Sequence, residues 1–333
     1  SGYTFPGLSP GDVLIDGFGG ILTFSLDHDT LSGLISINAD SLLNPGALTL
    51  HIDNSVKNPV VSGPVGVFGL LTESATEVDI DEGSGSGPVL TAAALTPIGV
   101  ASVSLEAGAV TDYTFTFTTL NPIPVNGDIE IQFPSGYTFP GLAIGDVSIE
   151  GGLGGVLGFS LDHDDASGLI SINAADLIAA PSNFVLHIND HVKNPVVSGN
   201  VGIFGLLTES AAEVAIDQGS GNGPVLTAAA LAPMVIDSVS LEAGAVTNYT
   251  FTFDTLNPIP AGGDIEIQFP SGYTFPGFDM AVDVIIDGGL GGILTPGDTH
   301  DPLSGRISIN VASPITPSNF VLHINDHVKN PVV

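Results

Sequence analysis

Carboxylates gathered at one recurring place are the first residues here that could do chemistry. Asp27-His28-Asp29, Asp162-His163-Asp164-Asp165 and Asp298-Thr299-His300-Asp301 each stand shortly before a Ser-Gly pair and a strand pattern. Hard cations such as calcium take several oxygens at about 2.3–2.6 Å, and clustered turn carboxylates can supply them. Asp27, Asp29, Asp162, Asp164, Asp165, Asp298 and Asp301 are therefore the candidate calcium ligands. The spacing departs from the EF-hand loop, and the third copy rearranges its Asp positions. The alternative is a solvated hairpin turn in which Asp binds its own backbone. A second acidic group, Asp79-Ile80-Asp81-Glu82 and its counterpart Glu213 to Gln218, precedes a Gly-Ser-Gly run where ions could stiffen a joint. The later copy lacks the acids of Asp79 and Glu82.

The lysines, Lys57, Lys193 and Lys329, hold one register, each followed by Asn-Pro. They read as ion-pair donors to carboxylates of a neighbouring domain or chain, which would relieve self-repulsion in an acidic assembly. A buried lysine in an isopeptide bond is the other reading. His187 and His191, repeated as His323 and His327, have a spacing that imidazole ligation of a transition metal could use. In the first copy Ser55 replaces the second histidine, and the alternation of Leu186 and Ile188 puts His187 on an outer strand face. The glycine runs at 17–20 and 151–155 lack the lysine and helix of a phosphate loop, so they read as tight turns. No nucleophile elbow and no His-Glu-x-x-His arrangement is present.

The whole chain bounds these readings. It has 333 residues, enough for two or three domains, with four Lys+Arg against 36 Asp+Glu and a formal charge of -32. That balance excludes a nucleic-acid partner and an anionic membrane surface. Mean hydropathy is +0.43, with 43 Gly and 24 Pro, which fits neither a disordered acidic tail nor a helical bundle. Cysteine is absent, so packing or bound ions must supply what disulfides would. No apolar run approaches the ~18–20 residues of a membrane span, so no membrane insertion is expected, and the first residues do not read as a signal peptide.

Repetition organises everything else. Ser-Gly-Tyr-Thr-Phe-Pro-Gly starts at Ser1, Ser135 and Ser271, and Val-Lys-Asn-Pro-Val-Val starts at Val56, Val192 and Val328, giving a period near 136 residues. Residues 127–141 recur unchanged at 263–277. Proline joints near 97 and 233 then divide the chain into three: residues 1–97 as the C-terminal part of one repeat, 98–233 as a complete repeat, and 234–333 as the N-terminal part of a third. The terminal pieces would each lack strands, exposing sheet edges. Two arrangements answer that: a window on a longer array, or chains that complete one another by strand exchange.

Within a repeat the period is two. Tyr113, Phe115 and Phe117 alternate with threonines, and Ile129, Ile131 and Phe133 alternate with Glu130 and Gln132. Further runs at 102–105, 147–150, 157–161, 169–173, 184–189, 201–207 and 213–217 bring the count to about nine strands, an all-β two-sheet sandwich. Helix is expected for one turn at most, near 174–179 or 227–231.

The stretch Glu106-Ala-Gly-Ala-Val-Thr-Asp-Tyr-Thr-Phe-Thr-Phe117, followed by Asp128-Ile-Glu-Ile-Gln-Phe-Pro-Ser-Gly-Tyr137, resembles the immunoglobulin-like tandem repeats of large bacterial and archaeal surface proteins, adhesins and extracellular filaments. The resemblance implies tandem immunoglobulin-like sandwiches, an extracellular or cell-surface location, calcium stabilisation and no catalytic residues. The function expected is a structural array in a filament, sheath or stalk, with copies of itself as partner. The alternative is an adhesin that binds carbohydrate or another surface. Asn248-Tyr249-Thr250 is the one glycosylation sequon.

Overall fold

The computed structural model describes residues 2–17, 24–29, 31–150, 159–287, 300–301 and 303–332. The first stretch carries β1 (Val13–Asp16), β2 (Phe24–Asp29), β3 (Leu34–Ala39), β4 (Thr49–Ile52), β5 (Gly63–Pro64), β6 (Val67–Glu73), β7 (Asp79–Ser86) and β8 (Val89–Leu90). The middle carries β9 (Ala93–Ala94), β10 (Gly99–Ser102), β11 (Val110–Thr119), β12 (Asp128–Gln132), β13 (Val147–Glu150), β14 (Phe159–Asp164), β15 (Leu169–Ala174), β16 (Ser182–Lys193), β17 (Gly199–Asn200), β18 (Ile203–Glu209), β19 (Ala215–Asn222) and β20 (Val225–Leu226). The last carries β21 (Met234–Ser238), β22 (Val246–Asp254), β23 (Asp264–Gln268), α1 (Met280–Asp283), β24 (Val284–Asp287), β25 (His300–Asp301), β26 (Arg306–Asn310) and β27 (Asn319–Lys329). The chain is all-β.

In the middle unit two sheets face each other, ordered β10-β11-β16-β13 and β14-β15-β12-β18-β19-β9. The alternation seen in sequence puts Tyr113, Phe115 and Phe117 inward from β11, against Ile129 and Ile131 of β12, Phe184 and Leu186 of β16, and Phe204 of β18. Among the described residues the named strands of this unit pair antiparallel except β9, which runs parallel to β19, pairing Ala93 with Asp217 and Ala94 with Gln218. The chain therefore joins this sandwich at Ala93, before Pro97, and crosses from one sheet to the other between β9 and β10. Leu95 is buried in the core as it crosses.

The last unit repeats the first sheet as β21-β22-β27-β24 and carries β23-β26-β25 as the second. In the first stretch β1 pairs with β4, β2 with β3, β5 with β8 and β6 with β7, around a small core of Phe5, Leu8 and Val13. Both 3-10 turns, Pro10–Asp12 and Ile144–Asp146, are closed by an Asp carboxylate that accepts a backbone N–H three residues earlier.

Two local expectations are corrected. The helical turns do not fall at 174–179 or 227–231: Ile178 bridges to Ile123, and Thr227 bridges to Glu106. Those long-range backbone bonds outweigh the helix propensity of alanine. The strand expected at 102–105 lies at Gly99–Ser102, because Ser104 N–H binds Thr111 Oγ1 and the Ser104 carbonyl accepts Ser102 Oγ–H, which ends the ladder.

Candidate functional site

The acidic turns close the hairpins β2–β3 and β14–β15, and their carboxylates bind nearby backbone. Asp27 accepts His28 N–H at 2.9 Å, and Asp29 accepts Leu31 N–H at 2.9 Å and Ser32 Oγ–H at 2.7 Å. Asp162 accepts His163 N–H and Asp164 accepts Ala166 N–H, each at 2.9 Å, while Asp165 reaches across to Phe139 N–H at 2.8 Å. The Ser167 hydroxyl, then Ala166 N–H, hold the Asp164 carboxyl below its ordinary range, and Ser32 and Leu31 do the same for Asp29. Asp301 accepts Leu303 N–H, and Asp298 lies outside the described residues. This is the chemistry of Asx turns. His163 Nδ1 has no hydrogen-bond partner and faces Asp165 at 3.9 Å. Among the described residues no three His, Asp or Glu side chains are grouped as a metal would need.

Lys57 is exposed, and Lys193 and Lys329 are half-buried. Their backbones bridge to Thr4, Thr138 and Thr274, while the ion pairs among the described residues are made by histidines and by Arg306. The residue that works in the Lys-Asn-Pro sequence is the asparagine. Buried Asn194 accepts the Tyr113 hydroxyl at 2.7 Å and donates Nδ2–H to the carbonyls of Ser104 and Glu106 at 3.1 and 2.9 Å. Tyr137 completes the chain at 2.8 Å from Tyr113 Oη. Burial pushes both phenols up. Asn330, Tyr249 and Tyr273 repeat the network in the last unit.

The histidines are divided between separate partners. His187 Nδ1 lies 3.1 Å from Thr114 Oγ1, whereas His191 spans from the Pro140 carbonyl at 2.8 Å to Asp146 at 3.3 Å. His323 and His327 copy this with Thr250, Pro276 and Asp283. Asn248, the sequon residue, replaces Asp112 at a bulge of β22, and its Oδ1 accepts Asp326 N–H as Asp112 accepts Asp190 N–H.

Two groups were not distinguished by sequence reasoning. Asp217, wholly buried on β19, accepts Leu120 N–H and Asn121 N–H at 3.1 Å and Asn121 Nδ2–H at 2.8 Å. In sequence it stood only within the second acidic group, Glu213 to Gln218, where ions could stiffen a joint; the Leu-Asn-Pro loop at 120–122, distant in sequence, gives it its partners instead. On the outer face of the second sheet Glu130 and Glu209 stand near Asp128 and Glu213. Burial first, then those like charges, raise both carboxyls above their ordinary range.

A cleft of about 620 Å³ is lined by residues 196–198 and 228–231 together with β23, and reaches the core residues Phe251, Ile265 and Ile267. Arg306, the chain's one arginine, pairs there with Glu266 of β23. In the first stretch the β6–β7 hairpin pairs only with itself among the described residues, and its strands are exposed along their length.

No family model and no curated protein sequence matches the chain. Among solved structures it is similar to the type II cohesin dyad of the ScaA scaffoldin of Acetivibrio cellulolyticus, at 10% identity and TM-score 0.24, over 71% of this chain and 85% of that one. It is similar to a serine-rich repeat adhesion glycoprotein of Streptococcus agalactiae at 12% identity and TM-score 0.22, over 72% and 89%. A third likeness, to the collagen adhesin of S. aureus, has 13% identity and TM-score 0.19 over 72% and 84%. Likenesses this distant carry no argument about what the chain does.

Proposed function

We propose that the chain is a structural, non-catalytic array of β-sandwich repeats in an extracellular filament, sheath or cell-surface stalk. The observation that supports it is the reuse of one interior wiring. The Tyr-Asn network, the histidine spans and the capped bulges recur at nearly the same distances in the middle and last units. Repetition of a packing solution suits length and stiffness, and most of the polar groups described are bound to backbone or to one another.

Charge would govern association. Residues 98–233 hold fourteen acids and one lysine, so copies repel at low ionic strength and approach once cations screen them. Calcium at Asp27, Asp29, Asp162, Asp164, Asp165, Asp298 and Asp301 belongs to this proposal, as do ion pairs from Lys57, Lys193 and Lys329 to a neighbouring domain or copy. Melting with calcium, with chelator and with sodium chloride of matched ionic strength tests the ion: a rise of several degrees with calcium alone supports it, and equal rises remove it. Electron microscopy across ionic strengths tests the assembly. An unbranched fibre with an axial repeat of roughly 30–50 Å, or a small multiple, is expected from strand length and rise; dispersed single chains under every condition would overturn the reading.

A further inference from the structure

We propose that a groove above Glu130, on the outer face of the middle unit's second sheet, receives a lysine side chain of a second copy of this chain. The inference deepens the filament reading and rests on it.

The groove follows from strand alternation. Ile129 and Ile131 of β12, Phe204 and Leu206 of β18 and Asp217 of β19 turn into the core, so the residues between them on β12 and β18 stand outward. Register then sets Glu130 beside Leu207 and Gln132 beside Gly205, and continues with Leu207 beside Gln218 and Gly205 beside Ser220. Leu169 of β15 opposes Gln132 from the other side. Gly205 leaves a gap in this layer of side chains, since a Cβ there would lie 3.2 Å from Gln132 Cβ. The space that results is about 560 Å³, flanked by Leu169 and Leu207, with Glu130, Gln218 and Ser220 among its polar lining.

The acidic end of this groove calls for a cation. Glu130 shares the face with Glu209 and stands near Asp128 and Glu213, and burial first, then like charges, hold the Glu130 and Glu209 carboxyls above their ordinary range. Residues 98–233 contain one lysine and no arginine. That lysine, Lys193, is on the wrong face to answer the charge. It opposes Val110 on the outer side of the first sheet, because the neighbouring pair Thr111 and Val192 is buried.

The last unit shows the same position filled. Strand β23 repeats the Asp-Ile-Glu-Ile-Gln of β12, and Arg306 takes the place of Leu169, opposite Gln268 as Leu169 is opposite Gln132. From there the guanidinium reaches diagonally to Glu266, the counterpart of Glu130, and pairs with it. A basic side chain therefore fits over this carboxylate where the sequence supplies one. In the middle unit leucine stands there instead, so the cation must come from outside the unit.

Lysine suits the groove better than a bare ion does. A hard cation such as calcium takes several oxygens, whereas Glu130 is the one carboxylate among the described lining residues and leucines flank it. A lysine lays its methylene stem along such apolar walls and carries its ammonium to the acid. Among the described residues Lys57, Lys193 and Lys329 make no ion pair. Lys329 opposes Val246 beside the buried pair Thr247 and Val328, and so shares the outward place of Lys193 on the first sheet. Donor and acceptor lie on opposite faces of the sandwich, so the contact is heterologous and adds copies side by side in open series.

The test uses the full chain. Heavy-isotope-labelled and unlabelled chains are mixed, joined with a carbodiimide that couples amine to carboxylate with loss of water, digested and read by mass spectrometry. Peptide pairs that join a lysine of one isotope to Glu130 or Glu209 of the other are expected. They are expected to vanish in Leu169→Arg, which copies the last unit and fills the groove from within. This variant is expected to melt at or above the parent temperature, because Leu169 is half-buried and the guanidinium relieves Glu130, and to raise the concentration needed for assembly at least tenfold. Absence of interchain pairs at Glu130 and Glu209, their confinement to single chains, or assembly of Leu169→Arg at the parent concentration overturns the proposal. Assembly of a chain with all three lysines replaced by glutamine, at the parent's protein and calcium concentrations, overturns it too and gives the groove to a cation from solution. Fibres without these cross-links would leave the filament reading standing and remove this one; cross-linked pairs without fibres would do the reverse.

Discussion

Tyr113 donates its hydroxyl hydrogen to Asn194 Oδ1 across 81 residues of sequence at 2.7 Å, and Tyr249 does so to Asn330 at the same distance. The asparagine then turns its amide to two carbonyls of the loop that leads into β11. One side chain therefore ties the end of β16 to the start of β11 inside the core. Asn194→Ala removes three buried hydrogen bonds, one from the Tyr113 hydroxyl and one each to the Ser104 and Glu106 carbonyls, at about 0.5–1.5 kcal/mol for each bond lost, since every partner keeps a second bond. The middle unit's unfolding transition is expected to fall by at least that amount, with the Asn330 unit unaffected. Denaturant unfolding of the full chain, followed by amide exchange in each unit, checks it.

That network also shows what the sequence could reveal. The strand faces were legible because Tyr113, Phe115 and Phe117 alternate with threonine, and a period of two needs no knowledge of partners. β9 was not legible, since Ala93–Ala94 is two residues long and pairs with Asp217–Gln218 more than 120 positions away. A proline joint at 97 marks the crossing between sheets, not the entry of the chain into the sandwich. In the Lys-Asn-Pro repeat the lone charge drew notice, but the buried group is Asn194. Its role depends on Tyr113 and Tyr137, which only the folded chain brings to it.

The acidic cluster on the second sheet sets a pH dependence. Burial and like charges raise Glu130 and Glu209 in the folded state. A raised carboxyl stabilises the fold below its unfolded value, ordinarily 4.5, and that contribution is lost as pH rises through the folded value. Stability of the middle unit is therefore expected to decline as pH climbs from about 4.5 toward neutrality, and less so in high salt. Glu130→Gln is expected to flatten the decline and to gain about 0.5 kcal/mol at neutral pH, the scale of exposed charge interactions. A rising profile over this range would contradict the assignment.

The lysines are expected to matter between chains and little within one. Among the described residues Lys57, Lys193 and Lys329 make no ion pair, and none is fully buried. Replacing all three with glutamine is expected to change unfolding by no more than about 0.5 kcal/mol per site. The same variant is expected to need more salt or divalent cation to assemble, measured by light scattering. Loss of most of the stability instead would place the lysines in a pair or isopeptide bond within the sandwich.

One aspartate position offers a contrast within a single molecule. Asp217 and Asp81 sit in equivalent hairpins, each beside a threonine hydroxyl at Thr208 or Thr72. Asp217 is buried and receives three further hydrogen bonds from Leu120 and Asn121, whereas Asp81 is exposed. Asp217→Ala leaves two backbone N–H groups and an amide without acceptors, so a loss of about 3 kcal/mol or more is expected from charged hydrogen bonds in a buried site. Asp217→Asn keeps one acceptor oxygen and is expected to lose less. Asp81→Ala is expected to leave unfolding nearly unchanged, because its exposed carboxylate accepts only the Thr72 hydroxyl at 3.3 Å. Melting each variant as dilute monomer separates the cases. If Asp81→Ala destabilises the dilute monomer as much as Asp217→Ala does, the two hairpins share one intramolecular role, and the difference in their surroundings has no energetic consequence.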